Sequence, residues 1–251
     1  MRVLFIGDVM AEPGQRAVAL HLPDIRDRYD LVIANGENAA GGKGLNKKAY
    51  RRLRDAGVDL ITLGNHAFDH KDVYELIETE PILRAANYPP GTPGREFLIH
   101  EGLLLFQLMG RIFVEPNLDS PFQAADRVLQ KARQEGFARA LVDVHAETTS
   151  EKHALGYYLD GRVDAVIGTH THVPTADART LKKGTLYISD VGMTGTYDSI
   201  IGGEIETFLA RFLTARPQPF RAAKGPASLL AVELELTPEG RTLRPYRWDE
   251  P

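Results

Sequence analysis

Residues 163–175 read VDAVIGTHTHVPT. An apolar run at 165–167 is stopped by Gly168 and followed at once by His170 and His172, the pattern of a buried strand whose exit loop displays two imidazoles. If residues 170–172 stay extended, the strand period of two puts both rings on one face, where they could share a metal ion. Two histidines in an ordinary loop are spelled the same way, so the weight falls on whether the rest of the chain repeats the construction. It does. The apolar run 3–6 ends in Gly7 and Asp8, and the run 31–34 ends in Asn35, Gly36, Glu37 and Asn38. The run 59–63 ends in Gly64, Asn65 and His66, and the run 140–144 ends in His145. In sheets with parallel strands, sites collect at the carboxyl ends, because loops converge there while the sheet holds them rigid.

Composition narrows the chemistry. A chain of 251 residues that is 43% hydrophobic and 25% charged can bury a full core, and we read residues 1–251 as one domain. A formal net charge of -4 provides no basic footprint for duplex nucleic acid, leaving room only for a local groove. The absence of cysteine excludes disulfides, zinc-thiolate sites, iron-sulfur clusters and a thiol nucleophile. Any metal must therefore be held by His, Asp, Glu or Asn. The first ten residues, MRVLFIGDVM, are too short and too polar a run for a signal peptide or a membrane span, so a cytoplasmic location is expected.

Between these strand ends the pattern is mixed. Helices are expected from Pro13 to about Ile25, over 46–56 with Asn46 as its cap, over 72–79, from Pro121 to about Gln134, over 150–159 with Ser150 as its cap, and over 204–213. Residues 97–99 and 103–109 form an antiparallel pair turning at Glu101 and Gly102, residues 185–189 form one more strand, and the end SLLAVELEL is β-rich. Two loops are rich in turn residues, NYPPGTPG at 87–94 and DVGMTGTYDSIIGG at 190–203, and both are candidates for substrate contact. Strands outnumber a simple βα alternation, which favours two sheets packed together with helices outside.

Asp8, Glu37, Asn38, Asn65, His145, His170 and His172 are hard oxygen or imidazole ligands, each just past a predicted strand. Such a set suits two divalent first-row ions sharing a bridging carboxylate, whereas a single catalytic zinc uses about three protein ligands. Ions about 3.5 to 4 Å apart can hold a hydroxide and clamp both oxygens of an in-line displacement at phosphorus. The leaving alkoxide then needs a proton, and His66, one residue past a ligand, is the candidate general acid. Asp143 and Glu147 flank His145 as candidates for orienting ligands or as plain surface charge, while His21, His70, His100 and His153 lack the strand-end context.

The ordered set GD at 7–8, GEN at 36–38, GNH at 64–66, His145 and THTH at 169–172 resembles the calcineurin-like metallophosphoesterases. The stretches HAETTSEK at 145–152, DGRVDAVIGTHTHVPTAD at 160–177 and SDVGMTG at 189–195 are similar, almost residue for residue, to the bacterial YmdB-like family within them. The resemblance covers essentially the whole chain. It implies a four-layer αββα sandwich, two first-row metal ions, iron or alternatively manganese or zinc, and hydrolysis of 2',3'-cyclic nucleotides. It also implies self-association into a homo-oligomer. Position by position, Asp8, Glu37, Asn38 and His172 would hold one ion, and Glu37, Asn65, His145 and His170 the other, with Glu37 bridging and His66 as the acid. Where many superfamily members carry D-x-H and a bridging Asp, this chain has Asp8, Val9, Met10 and Glu37, which fit the narrower family.

Two other readings are separable. The segment GENAAGGKG is not a phosphate-binding P-loop, because Lys43 lies one residue too far from Gly36 and Gly44 stands where a Ser or Thr would hold magnesium. A metal hydrolase of another ester class stays open, as does a regulatory protein that keeps the site to bind a nucleotide or an RNA end without turnover. The expected partners are a small phosphodiester or an RNA end, and no membrane.

Overall fold

The computed structural model describes residues 1–237 and 239–250. The first half of the chain carries β1 (Arg2–Ile6), β2 (Asp8–Val9), α1 (Ala11–Ile25), β3 (Leu31–Asn35), α2 (Lys47–Ala56), β4 (Leu60–Thr62), α3 (Val73–Thr79) and β5 (Ile82–Leu83). The middle carries β6 (Phe97–His100), β7 (Leu103–Met109), α4 (Pro121–Glu135), β8 (Arg139–His145), α5 (Thr149–Leu159) and β9 (Ala165–Thr169). The remainder carries β10 (Arg179–Thr180), β11 (Leu186–Ile188), β12 (Met193–Thr194), α6 (Ile205–Thr214), β13 (Ser228–Thr237) and β14 (Gly240–Asp249).

Two sheets of six strands result, ordered β14-β13-β1-β3-β4-β5 and β10-β11-β9-β8-β7-β6. Their central strands are buried on both faces, and this is why they read as unbroken apolar runs. In β1, Val3 and Phe5 point into the layer between the sheets while Leu4 and Ile6 join the layer under α1 and α2. In β7, Leu103 and Leu105 enter the shared layer while Leu104, Phe106 and Leu108 meet α4 and α5. The period of two thus divides each run between two cores, and the molecule is a four-layer αββα sandwich as expected.

The pairs β1–β3, β3–β4, β7–β8, β8–β9 and β9–β11 are parallel, so their carboxyl ends meet at one rim. Antiparallel β13, β6 and β10 lie outside them on β1, β7 and β11. The long hairpin partner β14 was not anticipated: its apolar residues are too sparse to mark a strand, because it is the outer strand of its sheet and largely exposed. Asn46 caps α2 as expected, its side chain accepting from the Ala49 amide at 2.8 Å. Ser150 is not a cap. The helix α5 starts at Thr149, and its first turn is fixed instead by Glu151, whose carboxylate accepts from the backbone amides of Arg111 at 3.0 Å and Ile112 at 3.3 Å.

Candidate metal centre

Three strand ends of one sheet and two of the other deliver the candidate ligands to the same rim. His145 is the last residue of β8 and is fully buried. Its Nε2 lies 3.0 Å from Glu37 Oε1, 3.0 Å from Asn65 Oδ1 and 3.0 Å from His170 Nδ1. At most one hydrogen can sit on Nε2, so three lone-pair atoms converge on it and compete for one proton. Gly64 makes this approach possible, since a Cβ there would collide with Glu37 Oε2 and the His145 ring. One ligand atom from each of Glu37, His145 and His170 lies within 4.8 Å of the others, the spacing of a metal-binding group.

The second group joins two loop residues to the short strand β2. The Nδ1 of His172 is 2.9 Å from the Ile201 carbonyl, which can only accept, so the hydrogen is on Nδ1 and Nε2 is bare. That bare nitrogen faces Asn38 Oδ1 at 3.2 Å, and Asn38 is held in this orientation by donating from Nδ2 to the Gly42 carbonyl at 3.0 Å. Two lone pairs are thus aimed at each other. Asp8 completes the set: Oδ2 accepts from the His170 amide at 3.2 Å, while Oδ1 is buried with no hydrogen-bond partner. An orphaned carboxylate oxygen and opposed lone pairs are the arrangement a cation resolves, and the oxygen and imidazole donors suit a first-row metal.

The His170 and His172 rings do not share a face by strand pleating. The strand β9 stops at Thr169, and the two histidines take φ of 99° and 66°, outside the extended region. The alternation turns their rings to different partners, His170 to the His145 group and His172 to Asn38.

The candidate ligands are braced from behind. Thr169 donates to Asp143 Oδ1 at 2.7 Å and so accepts from His145 Nδ1 at 2.9 Å, which directs the His145 Nε2 to the site. Asp143 also accepts from Thr62 and Gln107, each at 2.7 Å. The Glu147 carboxylate lies 3.0 Å from His170 Nε2, leaving Nδ1 as that ring's lone pair. Beneath the loop, the buried Lys152 donates to the Thr169 carbonyl at 2.7 Å and to Asp190 at 2.6 Å, and Asp190 takes the Thr171 amide at 3.0 Å. From the sequence, Lys152 has no assigned role, and Asp190 has one only as the first residue of a candidate substrate loop. The available signal was a lysine on the buried stripe 152, 155, 156, 159 of α5, where an apolar residue belongs.

The charges are strongly coupled. Burial pushes the Asp8 carboxyl up to about 6 against the pull of His172 and His145. Burial pushes Glu37 up as well, yet the charge and hydrogen bond of His145, aided by His66, hold it at about 2. His145 shows the reverse balance: burial would lower it, and Glu37, Asp8 and Asp143 raise it to about 9. Burial and the neighbouring His145 charge depress His170 to about 3.

Above the ligands lies a cavity of about 430 Å³ lined by Glu37, Asn38, His66, His170 and His172 among others. The His66 ring is held through Nδ1 by Asp69 at 2.7 Å, and its amide donates to Glu37 Oε2 at 3.0 Å. Its Nε2 makes no hydrogen bond among the described residues. A larger hollow of about 810 Å³ lies against α2, lined by lysines and arginines, and contains none of the candidate ligands, so size does not locate the chemistry. Of the two candidate substrate loops, only Ile201 of the second reaches the cavity wall. His153 bonds Ser189 and His70 a neighbouring amide, away from the ligands.

Comparison with known proteins agrees with this geometry. A 2',3'-cyclic-nucleotide 2'-phosphodiesterase of Bacillus subtilis is 46% identical over 243 residues, covering 94% of this chain and 91% of its own length. A crystal structure of a hypothetical protein from Thermus thermophilus is 67% identical with a TM-score of 0.96 over 100% of both chains. A crystal structure of a novel phosphatase of Mycoplasma pneumoniae is 33% identical with a TM-score of 0.93, over 100% of this chain and 94% of that one. The family model described as YmdB-like protein matches residues 4–245, and the chain belongs to that family.

Proposed function

We propose that the protein is a metal-dependent phosphodiesterase acting on 2',3'-cyclic nucleotides. The observation that carries this reading is the convergence of Glu37, Asn65 and His170 lone pairs on His145 Nε2, each at 3.0 Å, beside an unpartnered Asp8 Oδ1. Glu37, Asn65, His145 and His170 would hold one ion and Asp8, Glu37, Asn38 and His172 a second, with Glu37 common to both. Bound there, two first-row ions would supply Lewis acidity to the phosphoryl oxygens and acidify a water for attack.

The chain's own residues do the rest. Glu37 and Asp8 place negative charge under the ligand site, while the Thr169–Asp143 and Glu147 contacts fix which imidazole nitrogen faces it. His66, braced by Asp69 through Nδ1, donates a proton from Nε2 to the departing alkoxide. The ligand types accept iron, manganese or zinc. A cytoplasmic, self-associating enzyme, folded as one domain and able to take an RNA end as well as a mononucleotide, completes the reading.

The test is hydrolysis of 2',3'-cyclic AMP beside p-nitrophenyl phosphate by protein whose metal content has been determined. Turnover of the cyclic diester at about two metals per chain, lost in His170→Ala, is expected. A fully loaded protein that binds the nucleotide without hydrolysing it would overturn the enzyme reading in favour of a regulatory binding protein.

A further inference from the structure

The cavity has a second wall that the metal ligands do not explain. Phe208, on the first turns of α6, rests its ring on Gly203, where a Cβ would come within 2.9 Å of Cδ2. Phe220, from the polar, proline-containing link between α6 and β13, reaches back to rest on Gly42, where a Cβ would come within 3.0 Å of Cδ1. The two rings stand edge to face, 6.3 Å apart at 89°, and both line the cavity that His66, His170 and His172 also line. Phe220 keeps 36% of its surface exposed beside this cavity.

Lys43, next to Gly42, and Arg211, three residues after Phe208 on the same helix, line the same cavity. Neither forms a salt bridge among the described residues. A ligand matching all of this has an anionic end for the metal-ligand cluster and cationic rim, joined to a flat apolar surface for the phenyl rings. A bare phosphodiester leaves the rings unused, and an apolar ligand leaves Lys43 and Arg211 unused.

We propose that Phe208 and Phe220 form the base-stacking wall of the substrate site, so that the enzyme selects a nucleoside cyclic phosphate through its base. The inference rests on the phosphodiesterase reading above and adds the two residues that set substrate class. Stacking on an aromatic face tolerates any base, so a preference for nucleosides without strong discrimination among the four bases follows.

Kinetics of the metal-loaded wild type, Phe220→Ala, Phe208→Ala and Phe220→Trp would be compared on 2',3'-cyclic AMP and on methyl riboside 2',3'-cyclic phosphate, which lacks the base. The alanine variants should lose roughly 10- to 100-fold in kcat/KM on the nucleotide, chiefly through KM, the size of a base–aromatic stack. They should leave the base-free substrate unchanged, and Phe220→Trp should retain activity on both. Equal losses on the two substrates, or no loss on either, would overturn the proposal. Should the wild type hydrolyse neither substrate, the phosphodiesterase reading has failed instead. Calorimetric binding of adenosine 3'-monophosphate then decides the stacking wall: weakening in Phe220→Ala supports it and unchanged affinity overturns it.

Discussion

The two halves of the candidate metal-ligand cluster are made differently. Around His145, the candidate ligands follow strand ends, with the buried Thr169 and Asp143 behind His145, the exposed Glu147 behind His170, and Gly64 opening the space between them. Around His172, the loop residues His172 and Asn38 are oriented by the carbonyls of Ile201 and Gly42, while Asp8 comes from the two-residue strand β2. The sheet cannot move without disturbing the core, whereas Gly42 and residue 201 lie outside the strands. The difference lies in which element delivers the side chain, with oxygen and imidazole donors in both halves.

The comparison is broken most directly by removing one imidazole from each half. His145→Ala should abolish turnover and empty the strand-built half, while His172→Ala should also stop turnover but retain about one metal per chain; equal metal loss in both variants would show that the halves are not distinct. His66 belongs to neither half, so His66→Ala should keep its metal and its circular dichroism spectrum while kcat falls about 10²- to 10⁴-fold.

Protonation sharpens the contrast further. His145, raised from its ordinary 6.5 to about 9 in the fold, contributes stability that is complete below about 6.5 and is lost as pH rises through about 9. Chelator-stripped protein should therefore lose on the order of a few kcal/mol of stability between those limits, measured by denaturant midpoints. Metal-loaded protein should not, because ligation requires the deprotonated ring. The smallest effect concerns the brace. Thr169→Val removes the link from His145 to Asp143 and should weaken metal binding about 10- to 100-fold, read by competition with a chelating dye. No comparable single brace exists for His172, whose backbone partner a side-chain substitution leaves in place.

What could be read from the sequence were features local to a strand and its exit. The runs 3–6, 31–34 and 165–167 are apolar throughout, and 140–144 is apolar apart from Asp143, because both faces are buried, and the residue types after them stand out against that background. Long-range partners could not be read. Lys152 and Asp190 are 38 residues apart, and nothing in either neighbourhood names the other. Phe220 sits in a link whose composition predicts only solvent contact, yet it reaches Gly42. The H-x-H spelling at 170–172 misled on geometry because an extended continuation is the default for a strand, and only the fold reveals that the backbone reverses into positive φ there.

That reversal has a consequence for what selection must maintain. An L residue at φ of 99° or 66° strains the backbone by about 1–3 kcal/mol, and glycine would relieve it. His170 and His172 are therefore positions where the most foldable residue and the candidate ligand differ. A library screened for thermal survival alone should drift toward glycine at both, gaining melting temperature as it discards the ligands, so that only joint selection on activity would keep the histidines.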